Sequence, residues 1–312
     1  MTISPDQQEI EDAAALLRAG KLCAFPTETV YGLGADATNA DAVLSIYETK
    51  GRPRFNPLII HFADLEMAQT YAEFSPLALR LAALWPGPLS IVLPQKPGNG
   101  LADVATAGLT TVAIRIPDHP LARALLRATG RPLAAPSANP SGKLSPTTAA
   151  QVRRGFAGAV PVLDGGPCKA GVESTIIAID GDRLVQLRAG AMPREDIEAA
   201  MGMKVELAEK GAKISAPGML LSHYAPEARI RLNTTPQQGE AYLAFGPGVN
   251  FNGPTKNLSL SGDLREAARN LFSMLHELDA TGASTIAVAP IPETGLGEAI
   301  NDRLARAAAP RP

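Results

Sequence analysis

Between Phe25 and Ala37 the chain reads FPTETVYGLGADA, and Thr27, Glu28, Thr29 and Tyr31 are more polar variety than a turn needs. Similar clusters recur where short apolar runs end. KGRPRFNP carries Lys50, Arg52 and Arg54, PLIIHF ends near His61, and TVAIRI contains Arg115. APSANPSGKLSPTT offers Ser137, Asn139, Ser141, Lys143, Ser145 and Thr147, while GVESTII and QLRAG add Glu173, Ser174, Thr175 and Arg188. Three cations within five residues can neutralise several phosphate charges. The hydroxyl- and amide-rich run ahead of a helix near Thr147 can meet an anion through helix N-terminal N–H groups. Together these clusters point to an anionic ligand large enough to touch several loops, hence a nucleotide or phosphate enzyme.

Each cluster also has a plainer reading. KGRPR fits a solvated helix C-terminus, and SANPSGKLS fits a turn-rich loop with a cap. His61, His119 and His276 suit structural histidines, and Arg115 could lie on an edge strand. Several chemistries are excluded by missing patterns. There is no G-x-x-x-x-G-K-[ST], no G-x-G-x-x-G after a strand, no H-E-x-x-H and no serine-hydrolase elbow. Cys23 and Cys168 form neither a disulfide framework nor a zinc spacing.

The elements that must position these residues follow from periodicity and caps. Of 312 residues, 46% are hydrophobic and 19% charged, enough apolar content for a sizeable core. A net charge of -2, with 17 basic and 17 acidic residues up to Gly190 and 12 against 14 beyond, leaves neither part a basic nucleic-acid module. The N-terminus lacks a signal-peptide pattern and no long apolar run follows, so a cytoplasmic protein without membrane spans is expected.

A first helix is expected after Ser4 and Pro5, with Gln7 completing a capping box and Gly20 ending it. Helices are expected over Asp41 to Thr49, Asp64 to Glu73, Pro76 to Leu84, HPLARALLRATG and from Thr147 to Phe156. Strands are expected at KLCAF, PLIIHF, LSIVL, TVAIRI and PLAAPSA, with a hairpin of STIIAID and RLVQLRAG around Gly181 and Asp182. Interspersed strands and helices without regular βαβ alternation predict a mixed α/β fold, a twisted open sheet with flanking helices. Residues 203–228 read as a linker. They separate a domain over 1–202 from a small α/β unit over 229–312, built from AYLAF, a capped amphipathic helix, TIAVAPI and a closing helix.

Seven blocks keep the order seen in YrdC-domain proteins: FPTETVYGLGADA, KGRPRFNPLIIH, WPGPLSIVL, VAIRIPDHP, APSANPSGKLSPTT, GVESTII and LRAG. The segment SAPGMLLSHYAP and the trailing α/β unit resemble the longer, two-domain branch, the L-threonylcarbamoyladenylate (threonylcarbamoyl-AMP) synthases. The resemblance implies a sheet curving around a concave, locally positive cavity. It implies synthesis of threonylcarbamoyl-AMP from L-threonine, bicarbonate and ATP with release of pyrophosphate. A partner transferase then moves the threonylcarbamoyl group to the adenosine next to the anticodon of ANN-decoding tRNAs, so this step itself needs no tRNA.

Carried over position by position, the resemblance assigns Thr27, His61, Arg115, the Ala135 backbone and Ser174 to L-threonine. It assigns Lys50, Arg54, Thr111, Ser137, Asn139, Ser145, Arg188 and Tyr224 to ATP, with Lys50 and Arg52 stabilising charge on the phosphates. Mg2+ is expected to enter with ATP, and no metal site of the protein's own is implied. The linker is expected to close over the nucleotide through Tyr224, although Leu220, Leu221 and Ser222 stand where some members carry basic residues. Two rivals are an RNA-binding YrdC-type module, opposed by the balanced charge, and a carbamoyl-adenylate former, opposed by the absence of any C-x-x-C.

Overall fold

The computed structural model describes residues 7–208, 223–248 and 251–310. The first domain runs α1 (Gln7–Arg18), β1 (Cys23–Phe25), β2 (Gly32–Asp36), α2 (Ala40–Lys50), β3 (Ile59–His61), α3 (Leu65–Tyr71), α4 (Pro76–Ala82) and β4 (Leu89–Pro94). It continues through β5 (Thr111–Arg115), α5 (Pro120–Thr129), β6 (Leu133–Ala134), α6 (Ala149–Gly155), β7 (Thr175–Asp180), β8 (Arg183–Arg188), α7 (Arg194–Met201) and β9 (Val205–Leu207). Its strands form one mixed sheet in the order β1-β2-β6-β3-β5-β4-β7-β8-β9. The second domain comprises β10 (Arg229–Arg231), β11 (Ala241–Ala244), β12 (Thr255–Asn257), α8 (Leu264–Asp279), β13 (Thr285–Val288) and α9 (Leu296–Ala308). Its sheet, β10-β13-β11-β12, is parallel throughout.

Alternation along the strands divides the large sheet into two faces. Ile60, Ile91, Ile114, Ala134 and Ile177 enter the main core with Val43 and Ile46 of α2, Ala68 of α3 and Leu81 of α4. Cys23, Phe25, Leu133 and Ala135 join a separate cluster with Ile10, Ala14 and Leu17 of α1 and Leu121 and Leu125 of α5. The helices carry the expected punctuation. Pro120 opens α5 and Gly130 closes it in the left-handed region, while Thr148 and Gln151 form a full capping box on α6.

Three stretches of the first domain depart from the sequence expectation, and the second domain adds β10 and β12 to the strands expected there. GLGAD, read as part of a polar loop, is strand β2. Its glycines let neighbours approach: a Cβ on Gly34 would stand 2.8 Å from the Phe25 ring, and one on Gly32 would stand 3.2 Å from Ala135 Cβ. Helix α7 was not foreseen, because its apolar face rests on little more than Ile197 and Met201. Val205–Leu207 pairs parallel with β8, so the large sheet extends past residue 202 into the segment read as linker. The expected Ser4 cap, Pro5 and the linker residues 209–222, with Leu220, Leu221 and Ser222, lie outside the described residues.

The domains meet closely. Gln151 Nε2 donates to Ser273 Oγ at 3.2 Å and Gln186 Nε2 to Glu298 Oε1 at 2.7 Å. Gly171, at φ +77°, lies against α8, where a Cβ would stand 2.3 Å from the Ala268 carbonyl oxygen. Gly171→Ala should therefore cost about 2–4 kcal/mol, through backbone strain plus overpacking. Equilibrium urea unfolding checks this, and an unchanged midpoint would contradict such close docking.

Candidate active site

The sheet face left open between these helices and the second domain carries the polar residues. Ile59 and His61, two apart on β3, share a face, and His61 is the register partner of Arg115 at the end of parallel β5. The loop after β1 folds over them. Thr27 Oγ1 donates to the Val30 carbonyl at 2.7 Å and receives Val30 N–H at 3.3 Å, a hydroxyl-stabilised turn that Pro26 introduces. That turn delivers Glu28 and Thr29 to Arg115, whose Nη2 donates to Glu28 Oε1 at 2.7 Å and to Thr29 Oγ1 at 2.9 Å. Both ions are buried, and Arg115 Nε and Glu28 Oε2 have no hydrogen-bond partner among the described residues. Tyr31 braces the loop from below, donating to the Gly166 carbonyl at 2.8 Å.

A second cluster comes from α2 and from the segment following β6. Gly51, left-handed at φ 61°, ends α2 by donating its N–H to Glu48 and Tyr47. The chain then turns so that Lys50 and Arg52 are buried while Arg54 is exposed. Lys50 Nζ donates to the carbonyls of Ser137 (2.6 Å) and Asn139. Arg52 donates to the carbonyls of Asn56 (3.3 Å) and Pro57 (3.0 Å). Arg188, closing β8, donates from Nη2 to the Ser174 carbonyl at 2.8 Å and to Ser174 Oγ at 3.1 Å. Lys50, Arg52 and Arg188 form no ion pair among the described residues. Burial holds Lys50 well below the usual lysine range, helped by Arg52, and depresses Arg52 to about 10.

Glu173 is the compensating carboxylate. Its Oε1 accepts from Ser145 Oγ at 2.5 Å and its Oε2 from Arg303 Nε of α9 at 2.8 Å. Burial pushes its pKa up, but Arg303 and Arg188 outweigh it and leave the group at about 2. Tyr224 stands beside this pair with φ 63°, an uncommon backbone for a tyrosine, held between the Phe272 ring and the Arg303 guanidinium. His223 packs on it at 4.1 Å between ring centroids.

One cavity of about 50 Å³ lies among these groups. It is lined by the expected threonine set, Thr27, His61, Arg115, Ala135 and Ser174, and by Arg52, Ser137, Arg188 and Tyr224. Other expected residues stand elsewhere. Lys50 lies behind the wall on the Ser137 and Asn139 carbonyls. Asn139 braces its own loop, donating to Pro140 and Lys143, and Ser145 is spent on Glu173. Thr111 opens β5 opposite Pro94 and does not line the cavity, and exposed Arg54 pairs with Glu48 at 3.9 Å. The Ala135 N–H is committed to the Ile59 carbonyl at 3.0 Å. Sequence reading placed Glu28, Thr29 and Glu173 in its polar clusters without a role for each, and assigned none to His223 or Arg303. Arg303 did leave a signal, a cation standing in the apolar stripe Ile300, Leu304 and Ala307.

Known proteins share this arrangement. Residues 15–190 match the family Sua5_yciO_yrdC, described as "Telomere recombination". Residues 192–309 match Sua5_C, described as "Threonylcarbamoyl-AMP synthase, C-terminal domain". The chain belongs to the Sua5/YrdC family. Within it, the threonylcarbamoyl-AMP synthase of Bacillus subtilis is 41% identical over 99% of this chain and 95% of its own length. That of Pyrococcus abyssi is 40% identical over 97% and 94%. A crystal structure of P. abyssi Sua5 complexed with L-threonine superposes with a TM-score of 0.90 at 39% identity, covering 97% of this chain and 95% of that one. Both domains of this Sua5/YrdC-family chain therefore have a counterpart in that structure.

Burial, reinforced for His61 by Arg115, lowers the pKa of His61 and His223 to about 3. The native state thus stays unprotonated there while the unfolded chain takes up protons below about pH 6.5. Stability should fall as pH drops from 6.5 towards 3, by up to about 1 kcal/mol per pH unit for each histidine. Glu173, depressed from 4.5 to about 2, adds to the loss below pH 4.5. Urea unfolding across this range checks the slope, and His61→Asn should flatten it; a stability independent of pH would contradict the buried neutral histidines.

Proposed function

We propose that this chain condenses L-threonine, bicarbonate and ATP into threonylcarbamoyl-AMP, releasing pyrophosphate and water. The observation that carries the reading is the uncompensated charge. Among the described residues Lys50, Arg52 and Arg188 are buried and held by neutral oxygens, a costly arrangement that a triphosphate would relieve. Arg115 and His61, with the hydroxyls of Thr27, Thr29 and Ser174, line the same cavity and suit a small hydroxylated amino acid. Arg115 would meet the carboxylate with the edge Glu28 leaves free, and buried hydroxyl partners would reject an analogue lacking the hydroxyl.

The threonine amine takes up bicarbonate, losing water, to give an N-carboxylate. One oxygen of that carboxylate attacks the α-phosphorus of ATP, and pyrophosphate leaves. Both reactants are anions, so the protein's task is to lower their repulsion and hold them in line. Arg52 and Arg188 do this from the cavity wall, and Lys50 from behind the Ser137–Asn139 loop. Glu173, the carboxylate on the wall, is occupied by Ser145 and Arg303, and no group of three or more potential metal ligands occurs among the described residues. Mg2+ would therefore be held mainly by the triphosphate oxygens, where it neutralises phosphate charge. A cavity of about 50 Å³ is small beside the roughly 300–1,000 Å³ of ordinary ligand pockets, so His223 and Tyr224 withdraw to admit the nucleotide and then close on it.

No described helix is long and apolar enough to cross a membrane, and we place the reaction in the cytoplasm, upstream of a tRNA threonylcarbamoyl transferase. The test is a product assay with ATP, Mg2+ and labelled bicarbonate. Label should enter an adenylate only with L-threonine present, with one pyrophosphate per adenylate, and Arg115→Ala should lower kcat/KM for threonine at least about a hundredfold. A folded, ATP-binding protein that forms no adenylate would overturn the reading.

A further inference from the structure

Arg303 is the largest side chain in the fully buried set, yet it belongs to a helix whose buried face is otherwise made of Ala299, Ile300, Leu304 and Ala307. A cation on that stripe is expensive unless its donors are engaged. Nε donates to Glu173 Oε2, and Nη1 donates to the Ala189 carbonyl and to Asp302 Oδ2, each at 2.8 Å, while Nη2 has no partner among the described residues. The guanidinium carbon lies 5.4 Å from the centre of the Tyr224 ring. Arg303 is not among the residues lining the cavity.

We propose that Arg303, supplied by the second domain, is the positioning residue of the nucleotide side of the site. This rests on the adenylate-forming reading above. Glu173 and Ala189 are the neighbours in sequence of Ser174 and Arg188, two groups of the cavity wall, and one guanidinium grips both. The gripped segments are already pressed together. Ala191 N–H donates to the Glu173 carbonyl at 2.9 Å, and a Cβ on Gly190 would stand 2.2 Å from Thr175 N. Arg303 therefore sets how Arg188 and Ser174 face the cavity, and through Glu173 it orients the Ser145 hydroxyl. It supports Tyr224 from behind by a cation–π contact. It also cancels a carboxylate that would otherwise repel a triphosphate at the cavity wall. Of the threonine set, Ser174 adjoins the gripped Glu173, whereas Thr27, His61, Arg115 and Ala135 share no hydrogen bond or ion pair with Arg303 among the described residues, so its influence falls mainly on the nucleotide side.

The test is calorimetric binding of MgATP and, separately, of L-threonine to the full chain carrying Arg303→Met, Arg303→Lys, or Arg303→Met with Glu173→Gln. Arg303→Met should weaken MgATP binding at least about tenfold, from the unpaired Glu173 charge and the released wall. Threonine binding should change less than about threefold. The double variant should recover only part of the MgATP affinity, because the unpaired carboxylate is gone while the grip on the Glu173 and Ala189 segments stays lost; full recovery would overturn the positioning role. Arg303→Lys, which keeps the charge but cannot grip Glu173 and Ala189 together, should fall between. Equal losses for both ligands, or no loss for MgATP, would overturn the proposal. If Arg303→Met does not fold, Arg303→Lys is read by the same split between ligands. Because the readout is binding, a wild-type chain that binds MgATP without making adenylate counts against the proposed reaction and leaves the role of Arg303 to be read independently.

Discussion

Three buried cations, Lys50, Arg52 and Arg188, rest on neutral oxygens around a single cavity, and much of the surrounding architecture makes that tolerable. An unpaired buried charge is among the least favourable things a fold can hold. Here carbonyls of Ser137, Asn139, Asn56, Pro57 and Ser174 supply partial negative charge, and Glu173 is the carboxylate within reach. The strain is stored at the place where a polyanion would remove it. Depressed basicity at Lys50, Arg52 and Arg188 expresses the same constraint.

The fold provides the cavity by leaving part of one sheet face without a helix. Helices α2, α3 and α4 cover one face, and α1 and α5 cover one end of the other. Ile59, His61 and Arg115 then stand free on short strands whose register places His61 beside Arg115. Tyr224, ahead of the second domain, completes the enclosure with Arg303 and Phe272 of that domain behind it, and the close docking at Gly171 makes the second domain part of the site. Two ion pairs divide the labour: Glu28 orients Arg115, while Arg303 neutralises Glu173.

Much of this was legible in the sequence, for identifiable reasons. Helices with strong caps and amphipathic spacing, such as α5 with Pro120 and Gly130 or α2 with Gly51, stand where punctuation put them. So do the β-branched strands β4, β5 and β7. Strand β2 was not legible, because GLGAD has no strand propensity and is held by what its glycines allow to approach. Strand β9 was missed because three residues carry no readable period. The polar clusters pointed to the cavity, and each of the seven sends at least one residue to its wall, but sequence cannot separate a residue on the wall from one behind it. Lys50, Asn139 and Ser145 lie behind, spent on the loops that shape the wall. Thr111 and Arg54 lie outside altogether. Arg303 could have been suspected as a charge on an apolar stripe, but its partner lies 130 residues away in sequence.

The central claim is that the buried cations await a triphosphate. Titration of MgATP into the wild-type chain and into Arg52→Met and Arg188→Met, at low and high ionic strength, tests it directly. Each substitution should weaken MgATP binding at least about tenfold and reduce its salt dependence. MgATP binding unchanged by both substitutions would contradict the account.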